Sequence, residues 1–378
     1  MLMTDADDEL RMYRESVRRF IDPELVPRQP HWRAQRAPDA ADWLAAGRAG
    51  LLLPDVPQQW GGGGGGFAHA RVVAEELARA GVAFGAGVQG MVAQYILHYG
   101  SDAQKQAWLP RMARGELVAA IAMTEPDAGS ELAALRTRAV VDGEHYRIRG
   151  SKTFITNGVR AGLVCVAART RDDAPAARAL SMIVVETDAL AGYRAGAPLH
   201  KLGQHAQDTC ELFFDDVRVP RANLLGAAEG RGLGQMMQQL PYERLLLAAA
   251  SLAGAEAALE LTLQHARQRM LGDKALFELQ NTRFKLAECA TSLRVGRAFV
   301  DDCVHRRDAG ELDAATAAMA KLWASERCGE IVDACVQLHG GYGYMEEYAV
   351  ARMWADARVQ RIYGGSSEVL KEIIAWSL

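Results

Sequence analysis

The spacing of apolar residues changes twice along the chain. In roughly the first 120 residues, apolar side chains recur every three or four positions, which is the period of an amphipathic helix. In the first such helix, over residues 7–21, they are Leu10, Tyr13, Val17 and Phe20. Between about 121 and 225, short apolar runs are bounded by polar turns, a pattern typical of antiparallel strands. The helical period then returns, and long helices are predicted over 241–271, 276–308, 313–338 and 347–362.

These three regions predict an α+β fold in which a sheet lies between two helical parts of the chain. We expect an N-terminal helical domain over 1–120, a central antiparallel β-barrel or sandwich over 121–228, and a C-terminal four-helix bundle over 229–378. No connecting segment is long enough to make the three parts independent. We therefore expect them to pack as one unit.

Composition and charge narrow the class of protein. The chain has 378 residues, is 49% hydrophobic and carries a net charge of -4, which favours a globular protein without a nucleic-acid or anionic-membrane partner. The six cysteines form no CxxC pair and no metal-ligand spacing, so we expect buried thiols of a reduced compartment and no metal site. There is no signal-peptide core and no apolar run of about 18 residues, which predicts a cytoplasmic protein without a membrane span.

Two glycine-containing loops are candidates for ligand contacts. The loop over 122–130 follows an apolar run and carries Thr124 and Ser130, which suits the wall of a ligand site, although an ordinary Pro/Gly turn has the same composition. The run from Gly61 to Gly66 has no strand before it and no Lys-Ser/Thr after it. It predicts a flexible loop before the next helix rather than a phosphate cradle.

Several segments resemble, in the same order, those of the acyl-CoA dehydrogenase family. They are the 122–130 loop, Gly-Ser-Lys-Thr-Phe-Ile-Thr-Asn-Gly at 150–158, Lys-Leu-Gly-Gln-His at 201–205, Glu-Arg-Leu at 243–245, Gln-Leu-His-Gly-Gly at 337–341 and Ile-Tyr-Gly-Gly-Ser-Ser at 362–367. The resemblance spans nearly the whole chain, and the C-terminal half is most similar to the long-chain branch. It implies FAD as the cofactor.

The resemblance assigns one wall of the flavin site to the β region. Thr124 and Thr156 would donate to the edge of the isoalloxazine ring, and Phe154 would lie alongside it. Many family members have tryptophan at the position of Phe154; phenylalanine keeps the apolar surface and loses the indole donor. Ser130 would contact the substrate or the FAD pyrophosphate.

The resemblance also implies FAD contacts from a second subunit. The matching residues here are Arg269, Gln280, Gln337, Gly340 and Gly341. A guanidinium suits a pyrophosphate by bidentate contact, and glycines let backbone amides approach phosphate closely. The loop after Arg269 departs from the family pattern at positions 272, 273 and 275, where Phe, Gly and Pro are usual. Further contacts with FAD are implied for Gly365, Ser366 and Ser367.

The position of the catalytic base distinguishes branches of the family. Removing a proton alpha to a thioester carbonyl needs a carboxylate beside an apolar pocket, where burial raises its pKa. Much of the family carries that glutamate where this chain has Gly364. In the long-chain and isovaleryl branches the glutamate of a Glu-Arg-Leu segment is the base, which implies Glu243 here. Gly364 would still donate its amide to the thioester oxygen, and Arg244 would orient the substrate or hold Glu243 ionised.

Other interpretations of these acidic residues remain open. Pro241 fits the first turn of a helix, where a glutamate is expected from the helix dipole alone. Glu125 and Glu368 are also candidate bases. With glycine at 364 and no replacement for the base, the chain would be catalytically inactive.

The implied reaction is α,β-dehydrogenation of a medium-chain, long-chain or branched acyl-CoA. Glu243 would take the alpha proton while the beta hydride passes to flavin N5, and an electron-transferring flavoprotein would accept the electrons. The family is usually homotetrameric, and shared FAD contacts need at least a dimer.

Three alternative functions use the same fold. They are a dehydrogenase of acyl groups on a carrier protein, an oxygen-using oxidase or monooxygenase, and a non-catalytic flavoprotein that binds nucleic acid. The net charge disfavours the last of these.

Overall fold

The computed structural model describes residues 5–171 and 174–378, and its helices and strands follow the predicted order of helix, sheet and helix. The N-terminal helices are α1 (Asp5–Phe20), α2 (Gln29–Gln35), α3 (Ala40–Arg48), α4 (Phe67–Arg79), α5 (Ala86–Tyr99) and α6 (Asp102–Ala113). The strands of the central sheet are β1 (Ala119–Ala122), β2 (Arg138–Asp142), β3 (His145–Thr156), β4 (Leu163–Arg169), β5 (Leu180–Glu186), β6 (Tyr193–Ala195) and β7 (Thr209–Pro220). The C-terminal part contains α7 (Gly232–Gln268), β8 (Met270–Leu271), β9 (Lys274–Ala275), α8 (Gln280–Asp308), α9 (Ala314–His339), α10 (Ala349–Ala357) and α11 (Ser367–Ala375).

The glycine run before α4 is a packed turn rather than a flexible loop. Backbone amides from Gly61 to Gly65 donate to carbonyls of the preceding 53–58 segment. A side chain at Gly62 would meet the Val56 carbonyl oxygen at 2.2 Å. The glycines are therefore needed for close backbone approach, and their amides are not free to bind a phosphate.

Buried carboxylates of α4 tie the N-terminal helices to the bundle. Glu76 accepts hydrogen bonds from arginines of α1 and from Arg79. Glu75 accepts from Arg14 of α1 at 2.6 Å and from Arg297 of α8 at 2.6 Å. Both glutamates are almost fully buried. Because a buried carboxylate is stable only when it is paired, these contacts hold the two helical regions in one orientation.

The central sheet has seven strands, among the residues described, in the order β1-β4-β2-β3-β7-β6, with β5 on β4. The prediction of a purely antiparallel sheet is wrong for two pairings, because β1 and β2 both run parallel to β4. The two hairpin strands β2 and β3 lie between β1 and β4 in the chain, so β4 returns to β1 by a crossover rather than by a tight turn. The longest pairing is β3 with β7, and its register shifts twice, once between Lys152 and Ile155.

The C-terminal region has three long helices and two short ones rather than four long ones. The segment predicted as one helix over 347–362 ends its α-helical part at Ala357 and continues as a 3-10 turn to Arg361. Left-handed glycines at 364 and 365 follow, which an α-helix does not tolerate. α7 is long and apolar enough to span a membrane, yet 67% of its most apolar window is buried inside the fold. It is the core helix of the bundle, as in a soluble protein.

Candidate active site

Glu243 lies inside the longest helix and not at its beginning. α7 starts at Gly232 and contains Pro241, so the prediction that Pro241 opens the helix is wrong. The carbonyl that the proline leaves without a donor belongs to Met237, an exposed residue whose carbonyl water can satisfy. Glu243 is several turns from the positive end of the helix dipole, so the dipole does not explain an acidic residue here.

The Glu243 carboxyl is buried next to very few polar groups. Tyr95 of α5, itself fully buried, donates its hydroxyl to Glu243 Oε1 at 3.4 Å. Desolvation raises the pKa of Glu243 to about 7, although the Tyr95 hydrogen bond and the Arg244 charge both act to lower it. A carboxyl with this pKa takes up and releases a proton near neutral pH, as a general base requires.

The two other candidate carboxylates have different surroundings. Glu125 accepts hydrogen bonds from Lys152 Nζ at 2.8 Å and from the backbone amides of Arg136 and Thr137. Burial alone would raise the pKa of Glu125, but the Lys152 charge and these hydrogen bonds lower it. Glu368 is exposed at the start of α11, where backbone and Ser366 hydrogen bonds lower its pKa. Both carboxylates are held ionised, which makes them poor proton acceptors at neutral pH.

The glycine turn at 364 and 365 packs against α7 just beyond Glu243. Arg244 Nε donates to the Gly364 carbonyl at 3.2 Å, and buried Lys321 of α9 donates to the Gly365 carbonyl at 2.7 Å. Gly364 has φ of 65°, and a Cβ there would lie 2.6 Å from Leu247 Cδ1. Burial lowers the pKa of Lys321 to about 8, with the Arg244 charge acting in the same direction. The hydrogen bonds from Arg244 and Lys321 and the close contact with Leu247 therefore determine where the Gly364 amide lies.

Two serines after this turn have structural partners. Ser366 caps α11 by accepting from the Val369 amide at 3.3 Å, and Ser367 donates to Glu326 at 2.8 Å. Ser367 is buried. Their hydroxyls thus organise the start of α11, and any contact that they make with a cofactor is additional to this role.

A cavity runs along α7 from Leu246, one turn after Glu243. Its α7 side is formed by Leu246, Leu247, Ala250 and Gly254, which share one face of the helix. Side chains of α4, α5 and α10 complete it. From Glu243 to Gly254 the helix rises about 16 Å, which is enough for an extended alkyl chain of roughly ten carbons. Because Ala250 and Gly254 have small side chains, they do not block the cavity over this length.

A second group of predicted residues meets on β3. Phe154 has φ of 59° and 68% of its surface exposed, at the register shift where β3 bulges. The Thr153 amide donates to the Thr124 carbonyl at 3.0 Å, which places the 122–130 loop beside Phe154. The hydroxyls of Thr124 and Thr156 have no hydrogen-bond partner within 5–171 and 174–378. An exposed ring in a strained backbone conformation, flanked by free hydroxyls, is a ready surface for a planar ligand.

Asn157, which sequence reasoning missed, connects the surface around Phe154 to the cavity along α7. Its Nδ2 donates to the carbonyls of Gly85 at 3.1 Å and Ala119 at 3.0 Å. A side chain at Gly85 would lie 1.8 Å from Asn157 Oδ1. The α4–α5 connection, which lines the cavity, is therefore locked to the end of β3. Ser130 lies exposed on the neighbouring loop.

The remaining predicted residues lie at the opposite end of α7. Arg269, Gln337, Gly340 and Gly341 line one surface pocket, whereas Gln280 begins α8 outside it. The loop with the unusual residues is a short β8–β9 hairpin with Gly272 at φ of 64°, and Arg269 is left exposed beside it. Along the helix, Arg269 is about 39 Å from Glu243. The structure thus does not bring this group to the first site.

Comparison with known proteins decides the family. Models of the acyl-CoA dehydrogenase N-terminal, middle and C-terminal domains match residues 7–116, 120–217 and 230–378. The chain is 43% identical to the mitochondrial long-chain specific acyl-CoA dehydrogenase of Sus scrofa over 96% of its own length and 85% of the relative. This protein belongs to the acyl-CoA dehydrogenase family.

Solved structures of acyl-CoA dehydrogenases agree with this assignment. An acyl-CoA dehydrogenase from Geobacillus kaustophilus superposes with a TM-score of 0.95 at 43% identity, covering 98% of each chain. A glutaryl-CoA dehydrogenase from Mycobacterium smegmatis, solved in complex with FADH2, gives 0.91 at 31% identity, covering 98% of this chain and 94% of that one. The predicted class is therefore confirmed: an FAD-dependent oxidoreductase acting on the CH–CH group of acyl-CoA.

The residues present fit a flavin. An acyl-CoA dehydrogenase must hold the ring between an apolar surface and a few hydrogen-bond donors, and Phe154 with the unpartnered Thr124 and Thr156 hydroxyls offers that combination. Sequence reasoning found these three and Glu243 from motifs. It missed Tyr95, Lys321 and Asn157, because each acts across more than 40 residues of sequence and none stands in a segment whose local pattern indicates its partner.

Proposed function

We propose that Glu243 is the base that removes the alpha proton of the acyl thioester. The observation that carries this is a buried carboxyl whose pKa is raised to about 7, one helical turn before Leu246 and Leu247, which line a cavity with a largely apolar surface. The Glu243 carboxylate takes the proton on one of its oxygens as the Cα–H bond breaks, and those electrons form the Cα=Cβ bond. Bound FAD supplies the acceptor for the hydrogen that leaves Cβ with its electron pair.

The glycine turn supports the same step. The amide of Gly364 donates to the thioester carbonyl oxygen and stabilises the negative charge that grows there as the proton leaves. Arg244 and Lys321, which bind the carbonyls of the turn, hold this amide in place. Arg244 also adds positive charge next to Glu243, which limits how far burial raises the pKa of the base.

The cavity favours medium-chain, long-chain or branched acyl groups. An alkyl chain starting beside Glu243 can extend along α7 past Ala250 and Gly254. The thioester is carried by CoA in this proposal. A pantetheine arm on a carrier protein presents the same thioester, so acceptance of free acyl-CoA separates the two.

The assembly is proposed to be a homotetramer, or at least a dimer. Arg269, Gln337, Gly340 and Gly341 form a pocket suited to phosphate about 39 Å from Glu243. A residue that far along a rigid helix has to serve the FAD of another copy, together with Gln280. The same reasoning assigns Ser130, Gly365, Ser366 and Ser367 to the FAD or substrate of their own copy. An electron-transferring flavoprotein is the proposed acceptor, and cytoplasm the proposed location.

An anaerobic titration of the flavin spectrum tests the proposal. Free acyl-CoAs from butyryl to palmitoyl, and isovaleryl-CoA, are added to the purified protein. We expect at least one to bleach the flavin absorption, and Glu243→Gln to abolish bleaching while FAD and the acyl-CoA still bind. Glu368→Gln is the matched control and should bleach like the unmodified protein. Bleaching that survives in Glu243→Gln would show that another group is the base.

A further inference from the structure

One side of the cavity beside α7 is polar. Most of its lining is aliphatic, from α4, α5, α7 and α9. On the remaining side stand the carboxylate of Asp356 and a group of three carboxamides and a phenol, which we call the amide wall: Gln204, Gln207, Gln360 and Tyr363. Tyr363 and Gln204 share a side-chain hydrogen bond, but an unsubstituted alkyl chain would leave Gln360 Oε1 without a partner. Burying such groups against a hydrocarbon is unfavourable, so their presence needs a reason.

Gln360 is the member of the amide wall that has an unsatisfied buried hydrogen-bond acceptor. Its Oε1 is buried and has no hydrogen-bond partner in the described part of the chain. It belongs to the 3-10 turn that leads into the glycine turn, between Ala357 and Tyr363, which also line the cavity. A buried amide oxygen without a donor is destabilising unless a ligand or water supplies one.

The amide wall offers no free charge. Asp356, which also lines the cavity, accepts from the backbone amide of Gln204 and pairs with Arg33, whose guanidinium lies 3.7 Å away. Lys201 donates to the Gln207 carbonyl and to Thr209 Oγ1. Burial raises the pKa of Tyr363 to about 12, so its phenol stays neutral. The cavity therefore matches a neutral hydrogen-bonding group and gives a carboxylate no cation to pair with.

We propose that the preferred acyl chain carries a hydroxyl group that binds Gln360. A hydroxyl both donates and accepts, so it satisfies either end of the carboxamide. This inference rests on the proposed function, which puts the acyl chain in this cavity, and it narrows the substrate class to hydroxyacyl thioesters.

The distance between Gln360 and the glycine turn sets the position of the hydroxyl. Gln360 is four positions before Gly364; the 3-10 turn covers only the first of these steps, and taking its rise of about 2 Å for all four gives a span of roughly 8 Å. Counted from the thioester carbonyl, that corresponds to a carbon near the middle of a twelve-carbon chain. A hydroxyl at the chain end, or next to the beta carbon, would miss the carboxamide.

The test compares chains of equal length. Dodecanoyl-CoA, its 4-, 6-, 8- and 12-hydroxy derivatives and the α,ω-dicarboxylic analogue are assayed for kcat/KM by flavin reduction. In parallel their Kd values are read from flavin spectral shifts in Glu243→Gln, which binds without turnover. We expect the 6- or 8-hydroxy chain to exceed dodecanoyl-CoA about tenfold in both measurements, and the dicarboxylic chain to be worst.

Two variants separate hydrogen bonding from shape. In Gln360→Leu, the ratio of kcat/KM for the 6- or 8-hydroxy chain to kcat/KM for dodecanoyl-CoA should fall about tenfold. Met353→Leu, an apolar change in the same cavity, should keep the preference.

The two measurements distinguish failure of this inference from failure of the proposed function. Reduction by dodecanoyl-CoA with no hydroxyl isomer preferred, or a preference that survives Gln360→Leu, would overturn the inference and leave the proposed base intact. No reduction by any chain, with the hydroxyl chain still binding about tenfold tighter in a Gln360-dependent way, would overturn the proposed reaction and support the inference.

Discussion

The hydrogen bond from Tyr95 to Glu243 makes a quantitative prediction about pH dependence. In Tyr95→Phe the donor is lost while the ring remains, so the ionised form of Glu243 loses one stabilising contact. The pKa of Glu243, about 7 in the unmodified protein, must therefore rise. Because the base acts deprotonated, the acid limb of the kcat/KM profile should move to higher pH, with the plateau above it retained.

The size of the shift follows from the geometry. Hydrogen bonds to charged groups contribute about 1.5–3 kcal/mol at ordinary O–H···O distances. The separation of 3.4 Å between Tyr95 Oη and Glu243 Oε1 is longer than these, so a smaller contribution of about 1 kcal/mol is expected. At about 1.4 kcal/mol per pKa unit, this corresponds to roughly 0.7 unit. At pH 7 the fraction of ionised base would fall roughly threefold, and above about pH 9 the two proteins would react equally fast.

The assay is anaerobic flavin reduction at subsaturating acyl-CoA, measured from pH 5.5 to 9.5. The matched control is Tyr99→Phe, because Tyr99 neighbours Tyr95 but donates to Gln238 at 2.9 Å and not to Glu243. Its acid limb should coincide with that of the unmodified protein. An acid limb that stays in place or moves to lower pH in Tyr95→Phe would refute the reasoning, since the limb would then report some group other than the Tyr95-bonded carboxylate.

Three further predictions concern the glycine turn, the buried carboxylates and the flavin wall. Gly364→Ala should lower the free energy of unfolding by about 2–4 kcal/mol in urea, whereas Gly272→Ala, at the same φ with open space around it, should lower it by only about 1 kcal/mol. Three arginines lower the pKa of Glu76 to about 2, although burial opposes them. Glu76→Gln should therefore lower the free energy of unfolding by up to about 3 kcal/mol at pH 7. In urea unfolding at several pH values, this difference should become smaller as the pH falls from about 4.5 toward 2. Phe154→Gly should remove the strain of a left-handed backbone and stabilise the apoprotein by about 1 kcal/mol in thermal unfolding; an equally stable apoprotein would contradict this. The same change removes the exposed ring and should weaken FAD binding about tenfold in a fluorescence titration, which an unchanged affinity would contradict.

The order of the secondary structure and the identity of Glu243 were predictable because both are local properties. Apolar period separates helix from strand over a dozen residues, and the Glu-Arg-Leu segment can be recognised without knowing its partners. The beginning of α7 was not predictable in the same way. Proline is common in a first helical turn, and only the packing of the helix around Pro241 overrides that preference. The parallel pairing of β1 with β4 was missed for a similar reason, since a strand's own sequence does not specify its neighbour.

The features that tune the site are long-range. The pKa of Glu243 is raised because apolar helices exclude water around it, and Tyr95 is its one hydroxyl partner in the described part of the chain; neither fact is visible in the sequence near residue 243. A glutamate at a solvated position in the same motif would titrate near its ordinary pKa and be mostly ionised at every physiological pH. The motif therefore points to the residue that we propose as the base, whereas the packing of α5 against α7 raises its pKa. The same holds for Gln360, whose sequence context is that of an ordinary helix and whose chemistry depends on the cavity that it faces.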